Sequence, residues 1–302
     1  MNPVDPRNAD IKVMINGALQ DRANAKVSVF DSVVQGGDAV WEGLRVYDGR
    51  IAALEAHIRR LRDSAHALHF EQIPSAEAVA QAVFATLDAN GMRDDVHIRL
   101  TLTRGEKVTS GMNPRFNQSG PTLIVLAEWK PPVYNDTGIS LVTASIRRNS
   151  PLCLDSKIHH NNLLNNILAS IEANVAGADA AVMLDLDGFV AEANDTNLFM
   201  IRDEVLETPL ARACLPGITR GTVMQLAREN RVAVTERDIS VTELYTADEV
   251  FTTGTMGELT PVLSIDGRRI GTGSRGKLTT RLQQIYAKHV WQTGTPIPGQ
   301  VA

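Results

Sequence analysis

The stretch Val190-Ala191-Glu192-Ala193-Asn194-Asp195-Thr196-Asn197-Leu198-Phe199 places one acid between a turn at Asp187-Gly188 and an unusually polar run, after which the chain becomes apolar again. Three further segments fall around it in a fixed order: Asp155-Ser156-Lys157, Cys214-Leu215-Pro216-Gly217-Ile218-Thr219-Arg220, and Thr253-Gly254-Thr255-Met256-Gly257-Glu258. Together they offer an amine nucleophile, a carboxylate, a phosphate-sized anion site at a helix start and a turn rich in backbone donors. Those parts suit a phosphorylated pyridine aldehyde, pyridoxal 5'-phosphate.

Each residue has a stated task in that reading. Lys157 is the amine that condenses with the aldehyde, which requires it to be partly deprotonated by desolvation or a nearby cation. Glu192 partners the pyridine nitrogen and keeps it protonated. Leu215 to Arg220 reads as a loop entering a helix, with Pro216 and Gly217 before the first turn. Unpaired N–H groups and the positive dipole end favour an anion there. Thr219 and Thr255 add hydroxyl donors, and Arg60, beside His57, adds a cation for the phosphate. Read singly, each has an ordinary alternative: a solvated lysine, a strand glutamate, a helix cap, a helix-face arginine. The ordered set carries the reading.

The bulk properties set the frame. The chain has 302 residues, 43% hydrophobic, with a formal charge of −5, which fits a globular protein of one large or two moderate domains and gives no reason to expect nucleic acid. Two cysteines cannot form a disulfide framework, and a reducing cytoplasm is the expected setting. The first residues, Met1-Asn-Pro-Val-Asp-Pro-Arg7, lack the apolar core of a signal peptide, and no stretch has the length of a membrane span.

Patterning predicts strands at 11–16 and 26–30, then a hairpin of 39–47 and 50–54 around Asp48-Gly49. Helices are predicted over 55–70 and 75–90, the second between Ser75 and Gly91, and strands over 96–104 and 122–129. Pro131-Pro132 with the Asn, Asp and Gly that follow is the expected linker. Beyond it come helices near 161–176, 218–230 and 274–291, and strands near 180–186, 197–201, 232–236, 249–253 and 261–265. The expectation is two mixed domains, α+β or α/β: a small one over 1–130, a loop over 131–137, and a large cofactor-binding one over 138–302, with a site in the crevice. Gly271-Thr-Gly273-Ser-Arg-Gly276-Lys277 mimics a nucleotide loop, but Leu278 stands where a P-loop needs Ser or Thr, and no βαβ unit follows. It reads as a flexible turn. His159 and His160 have no carboxylate or cysteine at metal-ligand spacing, so no metal is expected.

From about Ile11 to Trp291 these residues resemble the fold-type IV pyridoxal-phosphate enzymes, the class-IV aminotransferases, whose fold is that of D-amino acid aminotransferase. The resemblance implies a small α/β domain, an interdomain loop, a larger domain and at least a homodimer. By motif, Lys157 takes the place of the cofactor-linked lysine, Glu192 that of the pyridinium partner, Arg60 that of the phosphate arginine, and Ile218, Thr219 and Thr255 those of the phosphate cup. Trp41-Glu42-Gly43-Leu44-Arg45-Val46-Tyr47 looks like a strand of the branched-chain group, and His97-Ile98-Arg99 like its Tyr-x-Arg. The resemblance thus implies Trp41, Arg45, His97, Arg99, Thr255 and Met256 on the substrate side, Arg99 meeting a carboxylate, with Arg45 or Arg104 as further candidates. Gly36, His97 and the Asn162-Leu163 pair stand where the branched-chain group carries tyrosines.

The implied activity is transfer of an amino group from an amino donor to a 2-oxo acid, with a branched-chain L-amino acid first. A D-amino acid or (R)-amine transaminase and an aminodeoxychorismate lyase are the family's alternatives. A nucleotide-binding protein built on Gly271–Lys277 and a silent structural homologue are the others.

Overall fold

Asn16 and Gly17 both adopt positive φ (47° and 80°), the conformation of a tight two-residue hairpin turn, and so the first strand folds straight back on its neighbour. The computed structural model describes residues 5–132, 134 and 137–299. The chain divides into two units: one of Met1–Pro131, Ile158–Asn162 and Val290–Ala302, the other of Pro132–Lys157 and Leu163–His289. The small domain expected over 1–130 therefore also takes a five-residue segment just after Lys157 and the C-terminal end. Of the expected 131–137 loop, Val133, Asn135 and Asp136 lie outside the described residues, as do Met1–Val4 and 300–302.

The first unit runs β1 (Lys12–Ile15), β2 (Ala18–Asp21), α1 (Ser32–Gly36), β3 (Ala39–Tyr47), β4 (Arg50–Ile51), α2 (Leu54–Ala67), α3 (Ala76–Ala89), β5 (Val96–Thr103) and β6 (Thr122–Trp129). The strand expected at 26–30 is irregular; the true hairpin partner of β1 is β2, which the Asn16-Gly17 turn selects. Asp48 and Gly49, at φ 44° and 71°, make the second tight turn between β3 and β4. Ser75 Oγ accepts from Ala78 N–H at 3.2 Å and starts α3. Alternation on β3 and β5 sends Val40, Leu44, Val46, Ile98, Leu100 and Leu102 to one face, where Ile58, Leu61 and Ala65 of α2 and Val79, Val83 and Leu87 of α3 complete the core. Glu42 shares that face with its neighbours two residues away. Trp41, Gly43 and Arg45 share the other with Arg99 and His97, their partners across the ladder being Gly43↔Arg99 and Arg45↔His97.

The second unit runs β7 (Ile139–Thr143), α4 (Leu164–Ala176), β8 (Ala180–Leu184), β9 (Val190–Ala193), β10 (Asn197–Arg202), β11 (Val205–Pro209), α5 (Ile218–Glu229), β12 (Val234–Arg237), α6 (Val241–Tyr245), β13 (Glu249–Gly254), β14 (Glu258–Ile265) and β15 (Arg268–Arg269). Then α7 (Lys277–Thr293) leads to β16 (Thr295–Pro296), which closes the first sheet in the order β16-β4-β3-β5-β6-β1-β2. The second sheet is ordered β12-β11-β10-β13-β14-β7-β8-β9, with β15 on β14. Leu141, Val182, Leu198, Met200, Val250 and Val262 fill its core. Among the described residues no helix is long and apolar enough to cross a membrane.

The glycine-rich turn before α7 is built by close approach, not by flexibility as expected. A Cβ on Gly271 would lie 2.1 Å from Asp248 O, and one on Gly276 would lie 1.9 Å from Glu249 Cδ. Glu249 caps α7, accepting from Leu278 N–H (3.0 Å), Thr279 N–H (2.8 Å) and Thr279 Oγ (2.6 Å). A carboxylate holds the place a nucleotide phosphate would need.

Candidate active site

In the second unit the turn Asp185–Phe189 sets up the acid. Asp185 Oδ1 accepts from Asp187 and Phe189 N–H (3.0 and 2.9 Å), and Gly188 takes φ 86°. The β8–β9 register slips between Met183↔Glu192 and Leu184↔Val190, a bulge of the kind that re-aims a side chain. Glu192 is 5% exposed. Its Oε1 accepts from Arg148 Nε at 2.7 Å and its Oε2 from Asn197 Nδ2 at 3.1 Å. Burial pushes its carboxyl above the usual glutamate range, with Arg148 and the Leu215 N–H pulling the other way. Each carboxylate oxygen has two lone pairs, so an acceptor site remains for a further N–H.

Asn197 links this acid to the next segment. Its Nδ2 also donates to Leu215 O at 2.9 Å. Gly217 is glycine because Asn197 packs against it: a Cβ there would come 2.0 Å from Asn197 Oδ1. Gly217 is the N-cap of α5 and supplies no side-chain cap, so the first-turn N–H groups of Ile218, Thr219 and Arg220 gain no partner from it. This end of a 12-residue helix contrasts with α7, whose first turn is held by Glu249. Arg220 is buried and turned away to Pro209 O (2.9 Å) and Glu236 (2.7 Å). Thr219 is buried and its side chain bonds to Tyr286, whose hydroxyl burial pushes up to about 12. Thr255 and Met256 sit in the β13–β14 turn, where Thr260 Oγ donates to Gly257 O at 2.8 Å.

Lys157 lies in the second unit, its backbone N–H donating to Asp155 Oδ1 at 3.0 Å. Its side chain is 45% exposed, and the nearest charge is a carboxylate, Asp155 Oδ1 at 3.5 Å. Nζ donates to Arg212 O at 3.2 Å. Together Lys157, the Glu192–Arg148–Asn197 set and the α5 N-terminus belong to one unit. They match an aldehyde, a ring nitrogen and a phosphate in chemical type.

In the first unit Arg60 lies against Glu42, which is fully buried. Nε and Nη2 of Arg60 donate to its two oxygens at 2.7 Å each. His57 Nδ1 is 2.6 Å from Oε2 and His159 Nδ1 3.1 Å from Oε1. Burial opposes the Glu42 charge, but His159, Arg60 and His57 outweigh it and hold the carboxyl well below its usual range. Arg60 thus brings its charge already matched within this unit. On the opposite sheet face, Arg99 stacks 3.5 Å over the Trp41 ring and donates to Asn161 Oδ1 at 3.1 Å. Burial lowers it to about 10, so it stays charged at neutral pH. Arg45 and Arg104 are committed elsewhere. Arg45 donates to Lys130 O (3.1 Å) and faces Asp95 (3.6 Å), and Arg104 forks onto Asp38 (2.6 and 3.1 Å). Both therefore hold intrachain partners in this structure.

Burial lowers His97 to about 3, helped by Lys130, Arg45 and Arg99, and lowers His159 to about 4. Both fall from an ordinary value of 6.5, so between these limits the unfolded chain binds protons that the folded chain refuses. Stability then falls as the pH falls. We expect a loss on the order of 3 kcal/mol between about pH 7 and pH 5, read from urea midpoints, with His97→Phe removing roughly half of the slope. A flat profile over that window would contradict both assignments.

Three partners went unseen in the sequence. Arg148 is one of two adjacent arginines, and only the structure shows that Arg147 turns to Ala144 and Ser145 carbonyls while Arg148 enters the core. Asn197 stood in the polar run but without a role. Glu42 was read only as part of a strand motif.

The family described as amino-transferase class IV matches residues 39–265. The chain is 60% identical to branched-chain-amino-acid aminotransferase-like protein 2 of Arabidopsis thaliana, over 97% of this chain and 53% of that protein. It therefore spans about half the length of that relative. It is 41% identical to a putative branched-chain-amino-acid aminotransferase of Methanocaldococcus jannaschii, over 91% of this chain and 95% of that one. Among solved structures it is similar to the T.th. branched-chain amino acid aminotransferase complexed with N-(5'-phosphopyridoxyl)-L-glutamate, with TM-score 0.87, 35% identity and coverage of 93% of this chain and 94% of that one. A match of that extent, on a fold shared with a solved member, means that this chain belongs to the class-IV aminotransferase family, of fold type IV.

Proposed function

We propose that the protein is a pyridoxal 5'-phosphate-dependent aminotransferase that moves an amino group between an amino acid and a 2-oxo acid, with a branched-chain L-amino acid as first-choice donor. The observation that carries this is the buried Glu192 carboxylate, set by Arg148 and Asn197 and joined through Asn197 to the glycine-started helix α5. The cofactor, when bound, supplies an aldehyde and an electron sink. With the cofactor bound, Lys157 would supply the amine and would carry the substrate's Cα proton on Nζ as base and then acid. Glu192 holds a proton on the ring nitrogen. The Ile218, Thr219 and Arg220 N–H groups, with Leu215, Gly217 and Thr255, form the phosphate end. Arg60 is assigned to the same anion on its motif, and Arg99, with Trp41 and His97, to the substrate carboxylate.

The plant and archaeal relatives carry branched-chain names, which supports the L-substrate choice. The deciding experiment is a visible spectrum of the protein with pyridoxal 5'-phosphate, followed by L-leucine and D-alanine in separate samples. An absorbance band that L-leucine alone discharges is the expected result. Discharge by D-alanine alone assigns the D-selective reaction, release of pyruvate from aminodeoxychorismate without an acceptor assigns the lyase, and no band at all removes the reading.

A second copy of the chain belongs to this reading. Leu164, Ile167, Leu168, Ile171 and Val175 form an exposed apolar stripe along α4, at helical spacing. A homodimer covers it, and a single-chain mass by light scattering would remove that part. The two free thiols, Cys153 and Cys214, fit a reducing cytoplasm.

A further inference from the structure

Strand β4 pairs with β3 only at Val46 and Tyr47, which leaves the β3 edge open at Ala39–Trp41. The segment Ile158–Asn162 fills that edge. Trp41 N–H donates to His159 O (2.9 Å), Asn161 N–H to Ala39 O (2.8 Å), and Trp41 Nε1–H to His160 O (3.1 Å). Ile158 packs on the first unit's core.

The His159 side chain adds a ring-to-carboxylate bond to these backbone ties. Its ring lies 4.2 Å from that of Trp41, and its backbone N–H donates to Ser64 Oγ at 3.1 Å. Nδ1 is closer to Glu42 (3.1 Å) than to Arg60 Nη2 (3.4 Å). A buried ionised carboxylate only accepts, so Nδ1 carries the proton and donates to Glu42. The Lys157 side chain is 45% exposed, with Nζ donating to Arg212 O (3.2 Å) and 3.5 Å from Asp155 Oδ1, which also accepts the Lys157 backbone N–H at 3.0 Å, so the residues on either side fix its backbone. Where its backbone is anchored therefore matters more than how its side chain packs.

We propose that His159 is a positioning residue for Lys157: its bond to Glu42 ties the segment that begins one residue after the lysine to a fully buried carboxylate, and so sets the backbone from which the amine reaches. This rests on the reading of Lys157 as the reacting amine. A reacting group displaced by about 1 Å loses roughly 10²-fold in rate, so the bond has leverage far beyond its own strength.

The test compares His159→Phe, which keeps a ring against Trp41 and loses the donor, with His159→Asn, whose amide can still donate to Glu42. In the cofactor-free protein, exchange of the Trp41 and Asn161 amides should quicken at least about tenfold in His159→Phe. In the loaded protein the visible band should persist, kcat should fall about 10²-fold with the donor KM within about twofold, and His159→Asn should recover most of the loss. A purely structural defect would lower cofactor uptake and kcat together without rescue. Should His159→Phe not fold, His159→Ala carries the same comparison without the bulk. Unchanged exchange and kcat, in a chain that loads cofactor, overturn the positioning role alone. A wild-type chain that takes up no cofactor overturns the reading of Lys157, and the positioning role with it.

Discussion

Lys157→Ala should lose turnover by at least about 10⁴-fold and show no visible band with pyridoxal 5'-phosphate, while folding as the wild type does. The two halves of that expectation have separate causes. The side chain is 45% exposed and its amine donates to one carbonyl, Arg212 O, so its removal leaves no cavity and no buried unpaired group. Substitutions of that kind change stability by about 0.5 kcal/mol or less. The chemistry has no substitute. In the proposed reaction one amine serves as nucleophile, then as base, then as acid, and proton transfer alone contributes about 10²–10⁴. Lys157→Arg is the sharper control: it keeps the charge and most of the length, but a guanidinium does not deprotonate at working pH, so it should be as inactive as alanine. A circular dichroism melt with single-turnover kinetics on both variants reads the two halves apart. Near wild-type turnover in either would end the assignment of Lys157.

The sequence carries local information well and remote partnership poorly. Asp48-Gly49 specifies its hairpin because two positive-φ positions in a row leave few alternatives, and Ser75 starts its helix with a side chain that any sequence scan can see. Asn16-Gly17 carries the same signal as Asp48-Gly49, and weighing it would have replaced the strand expected at 26–30 with Ala18–Asp21. Lys157, Glu192 and the Leu215–Thr219 loop were legible as candidates, because residue type and order alone nominate them. Their partners were not. Arg148 stands 44 residues from Glu192 and His159 stands 117 from Glu42, and no period or spacing links such pairs. The excursion of Ile158–Asn162 into the first unit was hidden for the same reason: an open strand edge is a property of the sheet, and the segment that fills it pairs there through backbone groups that carry no sequence signal. The Gly271–Gly276 turn shows the converse error. Its glycines look like freedom in the sequence and are close contacts in the structure.

Glu192 is where stability and chemistry can be separated most cleanly. Arg148 and Glu192 are each 6% exposed in their side chains and meet at 2.7 Å. Glu192→Ala removes the acid and strands the guanidinium, leaving Arg148 with Asn165 Oδ1 at 3.0 Å. Breaking a buried pair from one side costs about 3–5 kcal/mol, most of it the penalty for the charge left behind. Turnover should fall further than stability alone explains, on the order of 10³-fold, because no carboxylate then holds the ring nitrogen in its protonated form. Glu192→Gln isolates the charge. It keeps the volume and one of the two bonds, since its single carbonyl oxygen accepts from Asn197 or from Arg148 but not from both; its stability loss should be smaller than that of alanine, while its turnover should fall nearly as far. Adding Arg148→Met to Glu192→Ala removes the stranded cation and replaces it with apolar volume, which should return most of the stability. It should return none of the activity. The comparison is read from urea midpoints and kcat on the wild type and these three variants. Recovery of turnover along with stability would mean that Glu192 acts only by packing against Arg148, and the ring-nitrogen role would have to be given up.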